Sequence, residues 1–317
     1  MLLKKRTDRK IVVVTRETRV DNLRKRFNSI DQAAFFVKKR GGKFADYVAE
    51  DSAYKTSVDT LESTVAEWGH LQFIDRAYLP NFVFGPQDTV IAIGQDGLVA
   101  NTLKYLREGQ PLIGVNPDPA RWDGVLLPFN VDQLTDIVAE VLTGNYRKRE
   151  VTMATATLND GQEILAVNDF FIGQKTHTSA RYIIESAGKS ERHSSSGVIV
   201  STGLGSTGWL KSMLHGAAAI AEDISGQEFH TDPQAAGLSW EMKKLLFTVR
   251  EPFPSRNTQA DLVFGSITPQ NPLKIRSLMP ENGVLFSDGI ESDFLEFNSG
   301  SEAIITLADI RGNLVVG

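Results

Sequence analysis

The chain contains no cysteine, no apolar run long enough to span a membrane and no excess of positive charge. The absence of cysteine excludes disulfides, thiolate zinc sites and cysteine nucleophiles, and it fits a cytoplasmic protein. The net charge of −5 provides no basic field that would attract nucleic acid. The basic N-terminus is not followed by an apolar signal region. We therefore expect a cytoplasmic protein that uses neither nucleic acid nor a membrane as its partner.

Several common site patterns are also missing. The chain has no Gly-x-Ser-x-Gly elbow, which disfavours a hydrolase triad, and no Walker A pattern, which disfavours a P-loop. The five histidines show no metal-ligand spacing, so we predict no metal site and assign them surface or capping roles. They are His70, His177, His193, His215 and His230.

The length of 317 residues, with 41% hydrophobic and 23% charged residues, is typical of a globular protein with one large or two ordinary domains. Buried-type strands alternate with helical patterns over residues 1–150, which predicts an α/β domain with a parallel sheet. Residues 151–317 carry many short strands and one clear helix, which predicts a largely antiparallel β domain. We leave open whether the last segment returns to the first domain.

Three local features of the first domain are predicted from polarity and glycine alone. Residues 41–58 are polar and are predicted to be irregular, and residues 146–150 are charged and resemble a linker. Gly109 is predicted to end the helix that carries Val99, Leu103 and Leu106.

A strand–helix–strand unit between Thr89 and Val115 is the most informative part of the first domain. The apolar run Thr89–Ile93 enters a turn formed by Gly94, Gln95, Asp96 and Gly97, and a helical pattern follows. Ligands bind beyond the carboxyl ends of parallel strands, and a helix N-terminus there favours phosphate. The turn therefore suits a phosphate ligand with one carboxylate beside it, although an Asp-Gly turn without chemistry is the commoner case.

The same edge of the predicted sheet carries two positively charged side chains. Arg16 and Arg19 follow the strand Lys10–Thr15. They could contact phosphate, and a solvated turn is the alternative.

In the second domain, Asn168 and Asp169 interrupt the apolar stretch from Leu165 to Gly173. Side chains alternate along a strand, so one of the two should face the core and need partners there. Ligand contact and an Asx turn or bulge at a strand end are equally good interpretations.

A Gly/Ser/Thr loop runs from Gly203 through Ser206, Thr207 and Gly208 to Trp209, between a strand and a helix. It matches Gly-x-Gly-x-x-Gly, but it lies two-thirds of the way along the chain, and no strand with a terminal acidic residue follows the helix. A Rossmann dehydrogenase is therefore disfavoured. The loop still suits an anion or ribose cradle. The alternative is a packed helix start capped by Ser206 or Thr207.

These stretches, in this order, resemble the NAD kinase family. Its members share a Gly-Gly-Asp-Gly turn, an Asn-Glu pair on a strand and a Gly-Ser-Thr-Ala-Tyr loop, against Gly94–Gly97, Asn168–Asp169 and Gly205–Trp209 in this chain. The branch that contains the animal mitochondrial NAD kinase is the most similar. The signs are the segment Gly114–Arg121, Ser195-Ser196-Gly197 in place of Gly-Asp-Gly, Trp209 in place of Tyr, and Val249–Pro252.

The resemblance implies transfer of the γ-phosphate of ATP, carried with Mg²⁺, to the 2′-hydroxyl of the adenosine ribose of NAD, giving NADP. It implies an NAD kinase/diacylglycerol kinase-like fold, in which the first domain binds nucleotide and the second binds NAD, and a homodimer or homotetramer. Asp96 would orient and deprotonate the hydroxyl. The binding residues would be Gly94, Gln95, Gly97, Asn168, Asp169, Ser206, Thr207, Gly208 and Trp209.

Two residues depart from the family pattern and keep rival functions open. Gln95 replaces a glycine, where the backbone should approach phosphate and where φ could be positive. Ser196 replaces an aspartate of many members. The rivals are a lipid or sugar kinase of the same superfamily and a non-catalytic NAD-binding or nucleotide-binding regulatory protein.

Overall fold

The computed structural model describes residues 7–229, 238–290 and 293–317, and the chain forms two compact units. The first unit comprises Met1–Arg149 with Asn313–Gly317, and the second comprises Glu150–Gly312. The prediction for His230 lies outside the described residues. In the described part, no helix combines the length and apolar character needed to cross a membrane.

The first unit contains a parallel sheet in the order β2-β1-β3-β4, and the end of a late strand, β16, pairs in parallel with β4. Short 3-10 turns cover Arg76–Asn81 and Val131–Gln133. The elements are β1 (Lys10–Thr15), α1 (Arg19–Arg26), α2 (Ile30–Lys39), α3 (Phe44–Val65), β2 (His70–Asp75), β3 (Thr89–Ile93), α4 (Asp96–Leu103), β4 (Pro111–Val115) and α5 (Leu134–Thr143).

The apolar runs of the central strands build the core of this unit. All five residues of β3 are buried, as expected for a parallel strand covered on both faces. Apolar side chains of α3 and α5 pack on the same cluster, including Leu61, Val65 and Val138. Gly144, with φ of 76°, ends α5 in the left-handed conformation that is common at helix C-termini.

Three predictions about the first unit are wrong. Most of the stretch 41–58 belongs to the long helix α3, which begins at Phe44. Helix α4 ends at Leu103, so Gly109 marks a later turn with φ of 73°. The supposed linker 146–150 is largely part of the strand β5, which begins at Arg147.

The second unit is built mainly from antiparallel strands, with one long helix and a 3-10 turn at Gly205–Thr207. Its elements are β5 (Arg147–Leu158), β6 (Glu163–Ala166), β7 (Asp169–Gln174), β8 (Ala180–Ser186), β9 (Lys189–Ser195), β10 (Val198–Ser201), α6 (Trp209–Ser225), β11 (Leu245–Val249), β12 (Phe264–Ile267), β13 (Leu273–Ser277), β14 (Gly283–Ser287), β15 (Phe294–Glu296) and β16 (Glu302–Val316).

Two strand sets share the core of this unit. One runs in the order β12-β11-β10-β7-β14-β15, and the other in the order β16-β13-β8-β9, with β5 pairing with β16 and β6. Their buried side chains form one cluster, in which the largest fully buried members are Phe170, Tyr182, Phe247 and Phe297. Strand β9 was not predicted, because its buried residues are polar.

Candidate functional site

The turn after β3 is fixed at the carboxyl end of the parallel sheet. Gly94 is buried and donates its N–H to Val115 O at 3.1 Å. Gln95 is the N-cap of α4 with φ of −123° and ψ of 161°, so the concern that this position needs a positive φ is wrong. Gln95 is half-buried, and Gly97 is exposed, with no atom within 4 Å of the place that a Cβ would take. The turn thus leaves the N-terminus of α4 open on one side.

Asp96, the first residue of α4, has a carboxylate whose orientation is fixed by backbone donors. Its Oδ1 accepts the N–H of Leu126 at 2.8 Å, and its Oδ2 accepts the N–H of Val125 at 3.2 Å. The side chain stays half-exposed. A carboxylate held in this way keeps lone pairs for a further donor, because each oxygen can accept two hydrogen bonds.

The glycine at position 114 allows those backbone donors to reach Asp96. A Cβ on Gly114 would lie 2.0 Å from Leu126 O, so no other residue leaves room for the segment beside β4. Asn116 then holds the loop, since its amide nitrogen donates to Trp122 O at 2.9 Å. The segment Gly114–Arg121 therefore shapes the surroundings of Asp96.

Arg16 lies beside the same turn and is buried. Its side chain is 9% exposed, and its Nη2 donates to Glu50 at 2.9 Å. Arg19 also pairs with Glu50. Burial raises the pKa of Glu50, but the hydrogen bonds and charges of the two arginines outweigh it and hold that pKa below its usual range. The interpretation of a solvated turn is thus wrong for Arg16.

One polar atom of Arg16 remains without a partner among the described residues. Its Nε is buried and unbonded, and it would lie 3.5 Å from a Cβ built on Gly94. Tyr54 fixes the arginine's backbone, because its hydroxyl accepts the Arg16 N–H at 2.9 Å and donates to Ile93 O at 3.2 Å. The sequence does not reveal Glu50 and Tyr54 as site residues, because they lie in a polar stretch that predicts irregular structure, whereas the structure has a helix there.

In the second unit, Asn168 and Asp169 lie at the break between β6 and β7. The side chain of Asn168 is half-buried and has no hydrogen-bond partner in the described part of the chain. Asp169 is 9% exposed. Burial, and then the charge of Asp288, raise the pKa of Asp169 from 3.8 to about 7. One residue thus faces inward and the other outward, and an Asx turn does not account for either.

The loop before α6 packs directly on this pair. Thr202 donates its hydroxyl to Val167 O at 2.6 Å and its N–H to Asn168 O at 2.9 Å. A Cβ on Gly205 would lie 2.0 Å from Asn168 O, so the close approach requires glycine. The structure therefore brings together two of the three stretches that the sequence singled out.

The remaining loop residues differ in what they offer a ligand. Ser206 is buried and donates its hydroxyl to Gly203 O at 2.7 Å, whereas Thr207 and Gly208 are exposed. Gly208 is the N-cap of α6 without a side-chain cap, so the alternative interpretation, in which Ser206 or Thr207 caps the helix, is wrong. No side chain at the N-cap of α6 therefore accepts a hydrogen bond from the first N–H groups of this helix.

Trp209 contributes an aromatic wall to this region. Its ring is stacked on Phe171 with centroids 5.8 Å apart and planes 10° apart. The guanidinium of Arg250 lies 5.3 Å from the Trp209 ring centre. Near it, Ser196 donates its hydroxyl to the Glu251 carboxylate. In the sequence Arg250 is only part of the motif Val249–Pro252, and residue spacing does not place it beside the tryptophan.

The histidines and acidic residues form no cation site in the part of the chain that is described: no group of three or more His, Asp or Glu side chains could hold a metal ion. His193 is buried, and its Nε2 lies 2.9 Å from Glu191 Oε2, so the surface or capping role predicted for it is wrong.

Comparisons with known proteins point to one family. No family model matches the chain. An NAD kinase from Chlorobium phaeobacteroides is 30% identical over 143 residues, which are 44% of this chain and 48% of that protein. The chain thus matches about half the length of this curated relative.

Two solved structures share the fold over nearly the whole chain. The first is an NAD kinase from Archaeoglobus fulgidus in complex with ATP, with a TM-score of 0.55 and 14% identity, covering 96% of this chain and 92% of that one. The second is the yeast NADH kinase complexed with NADH, with a TM-score of 0.56 and 15% identity, covering 98% and 84%. The predicted fold class and the resemblance to the NAD kinase family are confirmed. The closer likeness to the animal mitochondrial branch stays a prediction.

Proposed function

We propose that this chain, which has the fold of the NAD kinases, transfers the γ-phosphate of ATP to the 2′-hydroxyl of the adenosine ribose of NAD. The observation that carries the proposal is the carboxylate of Asp96, which two backbone N–H groups hold at the N-terminus of α4. A helix start beyond a parallel sheet is a suitable place for phosphate. The order of the motifs and the likeness to NAD kinases indicate NAD as the acceptor of the phosphoryl group.

Asp96 is the group that receives the proton of the ribose hydroxyl. The hydroxyl oxygen forms a bond to the γ-phosphorus, the bond to the bridging oxygen of ADP breaks, and the proton passes to the carboxylate. Phosphoryl transfer depends mainly on positioning and charge stabilisation, so a fixed carboxylate within hydrogen-bond reach is sufficient. The backbone bonds to Val125 and Leu126 provide that fixed position.

The phosphates of ATP would be bound by the turn Gly94–Gly97 and by the N-terminal N–H groups of α4. The extended backbone of Gln95 is compatible with this role, because its φ of −123° needs no glycine. Arg16, with its unbonded Nε beside Gly94, is the adjacent buried cation. Mg²⁺ would arrive with ATP and neutralise charge on the phosphates.

NAD would be bound by the second unit. Polar contacts are offered by the amide of Asn168, by the carboxyl of Asp169 and by the exposed segment Thr207–Gly208, and Trp209 offers an aromatic face. Ser206 would contribute through its backbone, because its hydroxyl already donates to Gly203 O. We further propose a cytoplasmic homodimer or homotetramer. The lack of cysteine favours the location, and the resemblance favours the assembly.

NADP formation tests this function. The purified protein is incubated with NAD, ATP and Mg²⁺, and NADP is read with an NADP-specific dehydrogenase. We expect NADP and ADP to form in equal amounts. If neither ATP nor polyphosphate yields NADP while calorimetry still detects NAD binding, the chain is a nucleotide-binding regulatory protein. If NAD does not bind, a lipid or sugar hydroxyl becomes the expected acceptor.

A further inference from the structure

The backbone between β6 and β7 obtains its hydrogen bonds from outside the sheet. Val167 and Asn168 lie between the two strands, so they have no place in either ladder. Val167 N–H donates to Asp288 Oδ1 at 3.0 Å and to Oδ2 at 3.2 Å, and Asn168 N–H donates to Oδ1 at 2.6 Å. Asp169 N–H adds a longer bond to Oδ1 at 3.3 Å. One carboxylate therefore serves three consecutive N–H groups from a position about 120 residues later.

Asp288 is itself held in place by the same segment. Its N–H donates to Asp169 O at 2.9 Å, and the preceding residue pairs across the sheet with Phe170. Its φ of 55° is unusual for a residue other than glycine, and Gly289 follows with φ of 69°. The two residues form the centre of a turn that is closed by the bond from Ile290 N–H to Ser287 O at 3.0 Å, and aspartate followed by glycine tolerates a positive φ in such a turn. The turn places the Asp288 carboxylate beside the three N–H groups.

Thr202 binds the opposite groups of the same backbone. Its hydroxyl and N–H donate to the carbonyls of Val167 and Asn168, while Asp288 accepts from their N–H groups. All backbone polar groups of this two-residue break are thus satisfied by two residues from distant parts of the chain. The backbone of Asn168 is thus held in place, while its side chain takes part in none of these bonds and has no hydrogen-bond partner among the described residues.

We propose that Asp288 is a positioning residue for NAD: its carboxylate, opposed by Thr202, fixes the backbone that presents Asn168 and Asp169 to the dinucleotide. This inference rests on the proposed function. Asp288 acts through the pair and need not touch the substrate. An asparagine could not replace it fully, because its amide offers one oxygen and sets an NH₂ group toward the Val167 N–H.

The first test compares Asp288→Asn with a matched control, Asp160→Asn. Asp160 also precedes a glycine in a turn between strands, and its carboxylate accepts a backbone N–H from Gln162 at 3.0 Å, on the surface. For Asp288→Asn we expect KM for NAD to rise about tenfold and KM for ATP to change less than about twofold. Asp160→Asn should match the parent. An unchanged KM for NAD in Asp288→Asn would overturn the inference.

A pH profile supplies a second readout, which reports the charge of Asp288 near Asp169. The charge of Asp288 contributes to the raised pKa of Asp169, so its removal should lower that pKa. The inflection that Asp169 gives in a plot of kcat/KM for NAD against pH should move to lower pH in Asp288→Asn. An inflection that stays near pH 7 would contradict the charge interaction between the two residues.

Amide hydrogen exchange tests the same contact without activity. The peptide that spans residues 165–171 should exchange faster in Asp288→Asn than in the parent, while peptides of the first unit are unchanged. If Asp288→Asn does not fold, Thr202→Val and Thr202→Ser replace it. The valine should raise KM for NAD and the serine should restore it, because only serine keeps the hydroxyl bonded to Val167 O. Equal KM values in these two variants would refute the inference.

The design separates this inference from the proposed function. If the parent protein forms no NADP but the variant Asp288→Asn exchanges faster at residues 165–171, the kinase activity is rejected and the backbone role of Asp288 is retained. NAD affinity measured by calorimetry then replaces KM. A parent that forms NADP, with Asp288→Asn unchanged in KM and in exchange, would retain the kinase activity and reject the role of Asp288.

Discussion

The buried carboxyl of Asp169 should make the stability of the protein depend on pH in a direction opposite to that of most carboxylates. Its pKa is raised from 3.8 to about 7 by burial and by the charge of Asp288. Between these two values the folded chain binds more protons at this site than the unfolded chain. The stability associated with the neutral carboxyl is therefore fully present below the lower value and is lost as the pH rises to about 7.

The perturbation that isolates this effect is Asp169→Asn, because asparagine has nearly the same shape and no charge. Each pKa unit corresponds to about 1.4 kcal/mol, so relative to low pH the parent should lose roughly 2 kcal/mol of stability by about pH 5, where only the unfolded chain ionises, and on the order of 4 kcal/mol by about pH 8. Asp169→Asn escapes this cost. The variant should thus be more stable than the parent at neutral pH, by an amount that grows as the pH rises.

The assay is urea denaturation of both proteins without ligand over about pH 5 to 8. The difference in free energy of unfolding between the variant and the parent cancels the titration of all groups that the two share. An increase of about 2 kcal/mol in that difference across the range would support the reasoning. Parallel pH curves for the two proteins would refute it, since they would mean that Asp169 ionises in the folded chain as easily as in the unfolded one.

Two further substitutions test packing and charge at the candidate site. Gly205→Ala places a Cβ 2.0 Å from Asn168 O and should lower the free energy of unfolding by about 3 kcal/mol. The matched control is Gly216→Ala inside α6, where no described atom lies within 4 Å of the new Cβ and the free energy of unfolding should rise by about 1 kcal/mol. Equal effects of the two substitutions would contradict the close approach. Glu50→Gln leaves the buried Arg16 without its carboxylate and should cost about 3 kcal/mol at neutral pH. Because the pKa of Glu50 is lowered, its contribution is lost as the pH falls, so the parent and Glu50→Gln should converge in acid; a constant gap would count against the ion pair.

The sequence predicts the fold wherever apolar residues face the core. Strand β3 and the apolar face of α5 follow directly from their patterns. The part of helix α3 before Val58 escapes prediction because its buried face carries Glu50, Tyr54 and Ser57 before it reaches Leu61. The glutamate is satisfied there by the two arginines that follow β1.

Strand β9 escapes prediction from the sequence for the same physical reason. Its inward positions are Glu191, His193 and Ser195, which bond to one another or to other residues instead of forming an apolar alternation. A polar residue at a buried position looks like a surface residue until its partner is known. The partner is often far along the chain.

The candidate site shows the same limit. Asp96, Asn168 and the loop up to Trp209 stand out because glycines and short polar pairs interrupt apolar strands. From the sequence alone, Asp288 is only the first residue of an Asp-Gly turn. In the structure its carboxylate accepts hydrogen bonds from the backbone of Val167 and Asn168. Local patterns identify the groups that interrupt the strands, and tertiary contacts identify the groups that hold them.

The central claim, that Asp96 accepts the proton of the ribose hydroxyl, is tested most directly by Asp96→Asn. The amide oxygen can keep the bond from Leu126 N–H, so the fold and NAD binding should be retained. We predict that NAD affinity by calorimetry changes less than about twofold while the rate of NADP formation in a single turnover falls at least about a hundredfold. A single-turnover rate equal to that of the parent, with NAD bound, would contradict the account and remove Asp96 from the mechanism.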